Sequence, residues 1–232
     1  MMWSSKKVAL TGGTSGIGKA TLKVLIELGA EVVFCGKEEG QVKAVMDETK
    51  SKGACVDLSQ QEGIDQFYQF IKEELGEIDV LINNAGFVVV APLEELSRQD
   101  FELMYNINVI APAMLVKKVL PNFRQRKIGD IVNIGATGGS YGFEKGAAYA
   151  SSKAALLNFS QTLMKEVRKD NIRVFHIDPS WTTGTNNNNK GTEIPLDTSR
   201  LTASDMAQVI ISQLELPRRA FIPQVSVWST NP

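Results

Sequence analysis

The sequence predicts an α/β fold, a doubly wound parallel sheet of about seven strands with helices on both faces. Short, nearly continuous apolar runs alternate along the chain with longer amphipathic segments, which is typical of buried parallel strands joined by right-handed crossovers. The predicted strands are Val8–Thr11, Glu31–Cys35, Ala54–Asp57, Ile78–Asn83, Asp130–Ile134, Arg173–Ile177 and Ala220–Val227. The predicted helices are Gly18–Leu28, Glu38–Ser51, Ile64–Leu75, Arg98–Phe123, Ala147–Lys169 and Ala203–Leu214.

Length and composition limit the class of protein. A chain of 232 residues with 43% hydrophobic residues suits one domain, and we expect residues 1–232 to form it. The net charge of −1, with both signs interspersed, gives no basic patch for nucleic acid. Cys35 and Cys55 lack metal-site spacing and are expected to be buried strand thiols. With no stretch expected to span a bilayer, we expect a cytoplasmic protein that binds no metal, nucleic acid or membrane.

A glycine-rich turn lies between the first predicted strand and the first predicted helix. Glycines let the backbone approach a pyrophosphate closely, and the helix N-terminus offers it N–H groups and the positive end of a dipole. The spacing differs from GxGxxG, so the turn alone is a moderate signal for a dinucleotide. The candidate contacts are Gly12, Thr14, Ser15, Gly16, Ile17 and Gly18.

The tip of the second strand bears on the choice of cofactor. An acidic residue there would hydrogen-bond a ribose 2′-hydroxyl, whereas a basic residue accommodates a 2′-phosphate. Lys37 follows the strand directly, which favours NADP(H) over NAD(H). Glu38 and Glu39 come next and weaken this preference, although acids also suit the first turn of a helix.

Tyr149 and Lys153 lie four residues apart in a strongly helical segment, so their side chains share one face. A neighbouring ammonium stabilises a phenolate, and we therefore expect Lys153 to lower the pKa of Tyr149 from its usual value near 10. A tyrosine tuned in this way exchanges a proton with a carbonyl or alcohol oxygen. Taken alone, the pair is also compatible with a packed ring beside a solvated amine.

Four elements in this order resemble the short-chain dehydrogenase/reductase family of the compact single-domain type, over essentially the whole chain. They are Thr11-Gly12-x-x-x-Gly16-x-Gly18, Asp57, Asn83-Asn84-Ala85-Gly86 and Tyr149-x-x-x-Lys153. The resemblance implies a Rossmann fold in which Asp57 and Leu58 flank the adenine of the cofactor. It also implies that Asn84, Ala85 and Gly86 lie against the cofactor and that Lys153 holds the nicotinamide ribose.

Asn108 matches the helical asparagine that supports a proton-relay water in this family. Pro112, four residues further on, cannot donate to the Asn108 carbonyl and crowds it. We therefore expect a kink that leaves this carbonyl free for a water near Lys153. Asn106 is a competing candidate without such a proline.

The chain departs from the family at the end of the fifth strand, where a serine usually hydrogen-bonds the substrate oxygen. Ala136 stands there, and loss of one preorganised donor typically costs about 10²–10³ in turnover. Thr137 or Ser140 could supply the hydroxyl, and we favour Thr137. The departure could also mark a variant that traps a complex, or a binding protein that has lost efficient chemistry.

The segment Ser180–Arg200 is polar and aperiodic, and it follows a strand at the edge of the sheet where ligands bind in such folds. We interpret it as a substrate lid. By resemblance, Pro179, Thr182 and Thr183 contact the cofactor, although Ser180 replaces the family's usual glycine. His176 has no partner at telling spacing and is interpreted as structural.

Together these observations predict an NADP(H)-dependent oxidoreductase that interconverts a carbonyl and an alcohol, with Tyr149 as general acid/base. The substrate would be a small molecule. The alternative is a cofactor-binding regulatory or scaffold protein with impaired catalysis, because of Ala136. The resemblance further implies a homodimer or homotetramer.

Overall fold

The computed structural model describes residues 3–187, 192–193 and 196–230. Its strands are β1 (Lys7–Thr11), β2 (Glu31–Gly36), β3 (Lys52–Cys55), β4 (Val80–Asn83), β5 (Gly129–Ile134), β6 (Ile172–Pro179), β7 (Asn186–Asn187), β8 (Thr192–Glu193) and β9 (Gln224–Val227). Its α-helices are α1 (Gly16–Glu27), α2 (Glu39–Thr49), α3 (Gln61–Glu74), α4 (Arg98–Tyr105), α5 (Ala111–Arg126), α6 (Thr137–Ser140), α7 (Ala147–Val167) and α8 (Ala203–Glu215).

Seven strands form one parallel sheet in the order β3-β2-β1-β4-β5-β6-β9, which confirms the predicted fold class. Alternate strand residues point to opposite faces and enter two separate cores. One core joins the sheet to α3, α5 and α7, and the other joins it to α1, α2 and α8. The strand order reverses between β1 and β4, and at such a reversal a crevice opens at the carboxyl ends of the strands.

Each strand of the sheet differs from its predicted range by a few residues, and the third and the last strands show the reason. The third strand is Lys52–Cys55 rather than Ala54–Asp57, because its partner β2 ends at Gly36, which pairs with Cys55. Cys55 is exposed, so the expectation of two buried thiols is wrong for it and holds for Cys35 alone. The last strand begins after Pro223, which cannot donate to a ladder.

The predicted helix Arg98–Phe123 is interrupted near Pro112, as expected. Residues Asn106–Ile110 form a π-helical turn, in which the Ala111 N–H donates to the Asn106 carbonyl five residues back. Contrary to the sequence expectation, the whole helix Arg98–Arg126 is long and apolar enough to cross a membrane by length and composition. A helix packed on a protein core passes the same test, and α5 packs on β5 and α3.

Candidate active site

The glycine turn after β1 and the loop after β4 are bound to each other at the crevice. The Asn84 side chain donates to the carbonyl oxygens of Thr11 and Gly12, both at 3.0 Å. In return, the Thr11 hydroxyl accepts from the backbone N–H groups of Asn84 at 3.0 Å and Ala85 at 2.9 Å. Four hydrogen bonds therefore fix the relative position of the two loops that the sequence assigned to a cofactor.

Glycine is required within this turn because α1 approaches it closely. A Cβ on Gly18 would lie 2.0 Å from the Gly12 carbonyl oxygen and 2.4 Å from the Asn84 side-chain nitrogen. Gly12 and Gly16 have φ of +68° and +52°, a region that favours glycine. The result is a cradle of bare backbone that fits a pyrophosphate.

The N-terminus of α1 faces this cradle. The helix begins at Gly16, and its first turn contains no acidic residue that would repel an anion. Ser15 is the N-cap, and its side chain makes no capping hydrogen bond. Thr14 lies against Gly36 at the end of β2, while Ile17 in the first turn of α1 packs on the core. All six candidate residues of the turn thus lie at the carboxyl edge of the sheet.

Lys37 and Asp57 form an ion pair at the neighbouring strand ends. The ammonium lies 2.9 Å from a carboxylate oxygen, and the lysine side chain is 62% exposed. Burial acts to raise the pKa of Asp57, but hydrogen bonds from Lys37 and from Ser59 lower it overall. Leu58 beside them is buried. The pair holds a cation where the sequence places the adenosine end of the cofactor.

Tyr149 and Lys153 lie in the first two turns of α7, with the ammonium 5.9 Å from the centre of the phenol ring. The Lys153 Nζ is buried and donates to the Ile134 carbonyl at 2.8 Å. A Cβ on Gly86 would lie 3.6 Å from this nitrogen, so the loop after β4 lies beside it. An ammonium has three donors, which leaves Lys153 able to bind a further acceptor.

The pKa of Tyr149 is not lowered in the chain by itself, so that prediction is wrong. Burial raises the pKa of Tyr149 to about 12, and the charge of Asp178 acts in the same direction. Burial also lowers the pKa of Lys153 to about 8, against the effect of Asp178. The ammonium is directed at the Ile134 carbonyl and lies over the ring, which explains why it does not offset the burial of the phenol.

Asn108 joins two parts of the site through its buried side chain. Its Oδ1 accepts from the Phe87 N–H at 2.8 Å, and its Nδ2 donates to the Phe87 carbonyl and to the Ser152 hydroxyl, both at 2.9 Å. The loop after β4 is therefore tied to α7 at the residue before Lys153. A water on the Asn108 carbonyl remains a prediction.

Ala136 is buried at the end of β5, and its N–H donates to an Asp178 carboxylate oxygen at 3.0 Å. Thr137 is half-buried at the start of α6, and within the described residues its hydroxyl has no hydrogen bond. Ser140 ends α6 and is exposed. Thr137 is thus the candidate hydroxyl nearer to the missing serine.

In the described part of the predicted lid, two threonine hydroxyls donate to backbone carbonyls of the same segment. The Thr182 hydroxyl donates to the Ser180 carbonyl at 2.9 Å, and the Thr183 hydroxyl donates to the Asp197 carbonyl at 3.0 Å. Pro179 ends β6, and β7 pairs with β8 in a short antiparallel ladder. Residues 188–191 and 194–195 of the lid lie outside the described residues.

Sequence reasoning did not single out Asp178 and found no acidic partner for His176. These residues lie two apart in β6 and so share one face of the strand, a signal that was available from the spacing alone. Both are 1% exposed, and the His176 Nε2 lies 2.8 Å from an Asp178 oxygen. Within the described residues the His176 Nε2 has no hydrogen bond, so this contact is a close approach of the imidazole to the carboxylate.

Doubly wound proteins bind dinucleotides in a crevice of this kind, and the fold and the site define the class as a dinucleotide-dependent oxidoreductase. The family described as short chain dehydrogenase matches residues 6–194, so the chain belongs to the short-chain dehydrogenase family. It is accordingly an oxidoreductase that acts on hydroxyl or carbonyl groups.

Three comparisons illustrate the similarity. A short chain dehydrogenase of Pseudocercospora fijiensis is 32% identical over 75% of this chain, which spans only 59% of that protein. An NADP-dependent 3-hydroxy acid dehydrogenase of Salmonella typhi is 28% identical, over 95% of this chain and 93% of that protein. The closed form of a serine dehydrogenase complexed with NADP⁺ is 27% identical with a TM-score of 0.88, over 95% of this chain and 94% of that one.

The cradle can be tested by Gly18→Ala. The added methyl group must displace the Gly12 carbonyl or the Asn84 side chain, and overpacking of this kind typically costs about 1–3 kcal/mol in the free energy of unfolding. We expect that loss in urea unfolding, together with weaker NADPH binding in a fluorescence titration. Gly40→Ala in α2 is the matched control, because open space surrounds it. Equal NADPH binding by Gly18→Ala and the unmodified protein would contradict the assignment.

Proposed function

We propose that the protein is an NADP(H)-dependent oxidoreductase that interconverts a carbonyl and an alcohol, with Tyr149 as general acid/base. The observation that carries this proposal is the convergence of the glycine cradle, Lys153 and Tyr149 at one edge of the sheet. A bound nicotinamide supplies or accepts the hydride. The NADP-dependent relative and the NADP⁺ complex support the cofactor.

The protein contributes the proton and the positions of the reacting groups. In reduction, the Tyr149 O–H bond breaks and a new O–H bond forms on the substrate oxygen. A phenol with a pKa of about 12 keeps its proton throughout the neutral range. Lys153, with a pKa of about 8, is cationic at neutral pH and neutral well above pH 8.

We therefore expect the rate of carbonyl reduction to fall as the pH rises through about 8, because the cation beside Tyr149 is lost.

Thr137 is proposed to replace the missing serine as the donor to the substrate oxygen. Its position next to Ala136 and its unpaired hydroxyl, among the described residues, support this role. The second candidate function, a cofactor-binding regulatory or scaffold protein, is favoured by the buried Ala136, which offers no side-chain donor. The two functions differ in whether Tyr149 matters for turnover.

The test is NADPH oxidation across a panel of ketones, aldehydes and acyl thioesters. We expect Tyr149→Phe to abolish turnover and Thr137→Val to lower kcat by about 10²-fold, as loss of one preorganised donor does. Ala136→Ser added to Thr137→Val should restore activity, while Ser140→Ala, at an exposed position, should change nothing. NADPH binding with no turnover of any substrate, even in Ala136→Ser, would favour the binding protein. Turnover that Tyr149→Phe leaves intact would contradict Tyr149 as the general acid/base.

The preference for NADP(H) is assigned to Lys37. Its ammonium pairs with Asp57 and keeps further donors for a 2′-phosphate. Since the side chain is largely exposed, we expect Lys37→Ala to raise the KM for NADPH by about tenfold, at the low end for a charge-assisted hydrogen bond. The KM for NADH should stay the same. Lys43→Ala, an exposed lysine on α2, is the control. An equal effect on both cofactors would assign Lys37 to the adenosine rather than to the phosphate.

We also propose a homodimer or homotetramer assembled through the outer faces of helix Arg98–Arg126 and α7. Only 39% of the most apolar 18-residue stretch of this helix is buried, and Ile110 on the helix is 45% exposed. Light scattering should give the mass of two or four chains, and Ile110→Lys should reduce it. A monomer at micromolar concentration would contradict the proposal.

A further inference from the structure

A chain of buried polar side chains crosses the sheet below the candidate active site. It starts at Asn83 in β4, whose side chain donates to that of Asn133 in β5 at 2.9 Å. Asn133 donates to the Ser160 hydroxyl of α7 at 2.8 Å, and this hydroxyl lies 3.1 Å from the His176 Nδ1. The imidazole then contacts Asp178, so the chain ends on a carboxylate next to the site.

The Asp178 carboxylate is held from several sides. One oxygen lies 2.8 Å from the His176 Nε2 and accepts the Ala136 N–H at 3.0 Å. The other oxygen accepts from the Gln224 side chain in β9 at 3.1 Å. A buried carboxylate is costly unless it is hydrogen-bonded, and Asp178 accepts from a backbone amide after β5 and from a side chain of β9.

Three consecutive backbone groups at the end of β5 are clamped together. The Ile134 carbonyl accepts from Lys153 at 2.8 Å, the Gly135 N–H donates to the Ile177 carbonyl at 2.8 Å, and the Ala136 N–H donates to Asp178. The cation of the candidate pair and the Asp178 carboxylate therefore hold the two ends of the same short turn. Any loosening of Asp178 would be transmitted to Lys153 through this turn.

Gly135 is the residue that makes room for this arrangement. A Cβ there would lie 2.1 Å from the Asp178 carboxylate and 2.3 Å from the His176 Nε2. The backbone of Gly135 does not have a positive φ, so its conformation does not demand glycine. Space for the His176–Asp178 pair is the physical reason for a glycine beside Ala136.

We propose that Asp178, supported by His176, is a positioning residue that fixes the β5 turn beside Tyr149 and sets the charge acting on the Tyr149–Lys153 pair. This inference rests on the proposed function of that pair. The titratable groups around Asp178 are His176 on the same strand and Tyr149 and Lys153 on α7. From β5 and β9 it meets a backbone amide and a glutamine side chain, neither of which titrates.

The direction of the charge effect follows from the sign of the carboxylate. A negative charge favours the protonated forms of both the phenol and the amine, so it raises both pKa values. Removing the charge should lower the pKa of Tyr149 and of Lys153 together. A purely structural role for Asp178 would lower stability and turnover without moving either titration.

The experiment uses Asp178→Asn, which keeps the size of the side chain, and Asp178→Ser, a smaller acceptor for the Ala136 amide in case the first variant does not fold. The tyrosinate absorbance of each protein is titrated and compared with the same protein carrying Tyr149→Phe, which isolates the Tyr149 phenol. We expect the Tyr149 midpoint to fall by about one pH unit in the Asp178 variants. The high-pH limb of kcat/KM for carbonyl reduction should move down as well, with a fall in kcat larger than the change in KM for NADPH.

Asp79→Asn, at the opposite edge of the sheet, is the control and should leave both titrations unchanged. The absorbance titration needs no substrate, so it tests Asp178 even if no turnover is found and the proposed function fails. A Tyr149 midpoint that stays the same or rises in the folded variants would overturn the inference. A shifted midpoint with unchanged kcat in an active enzyme would overturn the positioning role.

Discussion

The Asn84 side chain joins the two loops of the site at the point where the strand order reverses, between β1 and β4. It binds two carbonyl oxygens at the end of β1, while the Thr11 hydroxyl binds two N–H groups after β4. These carbonyl and N–H groups lie where β1 and β4 leave the sheet, so they need hydrogen-bond partners outside the strand ladder. The glycine cradle, the start of α1 and the loop beside Lys153 all take their positions from this junction.

The second half of the site depends on the first through a continuous set of contacts. Asn108 binds the backbone of Phe87 in the loop after β4 and also Ser152 in α7. Lys153 then binds the end of β5, and Asp178 binds the residue two further on. Side chains thus join the strand ends to one another in addition to the sheet ladder. The π-helical turn at Asn106–Ile110 brings Asn108 to the loop, at the helix irregularity that Pro112 predicts.

Features determined by local spacing could be predicted from the sequence. The Tyr149–Lys153 pair, the glycine turn and the interruption near Pro112 each follow from residues within one or two turns of each other. The boundary of β3 could not be predicted, because it depends on where β2 ends. The direction of the Tyr149 pKa shift depends on burial and on Asp178, which lies 29 positions away by its residue number. The spacing of His176 and Asp178 could be seen in the sequence, but the residue that Asp178 binds, Ala136, lies 42 positions away in the turn after β5.

The electrostatics of the chain favour one direction of the proposed reaction. A phenol with a pKa of about 12 is protonated near neutral pH, as proton donation requires, and its phenolate form, which oxidation of an alcohol requires, is scarce. Asp178 strengthens this bias while it keeps Lys153 cationic against the effect of burial. The same carboxylate thus opposes phenolate formation and preserves the cation that a phenolate needs. In the proposed reaction Tyr149 therefore starts as the proton donor, and Thr137 beside the buried Ala136 is the proposed second donor to the substrate oxygen, an arrangement that suits reduction of a carbonyl.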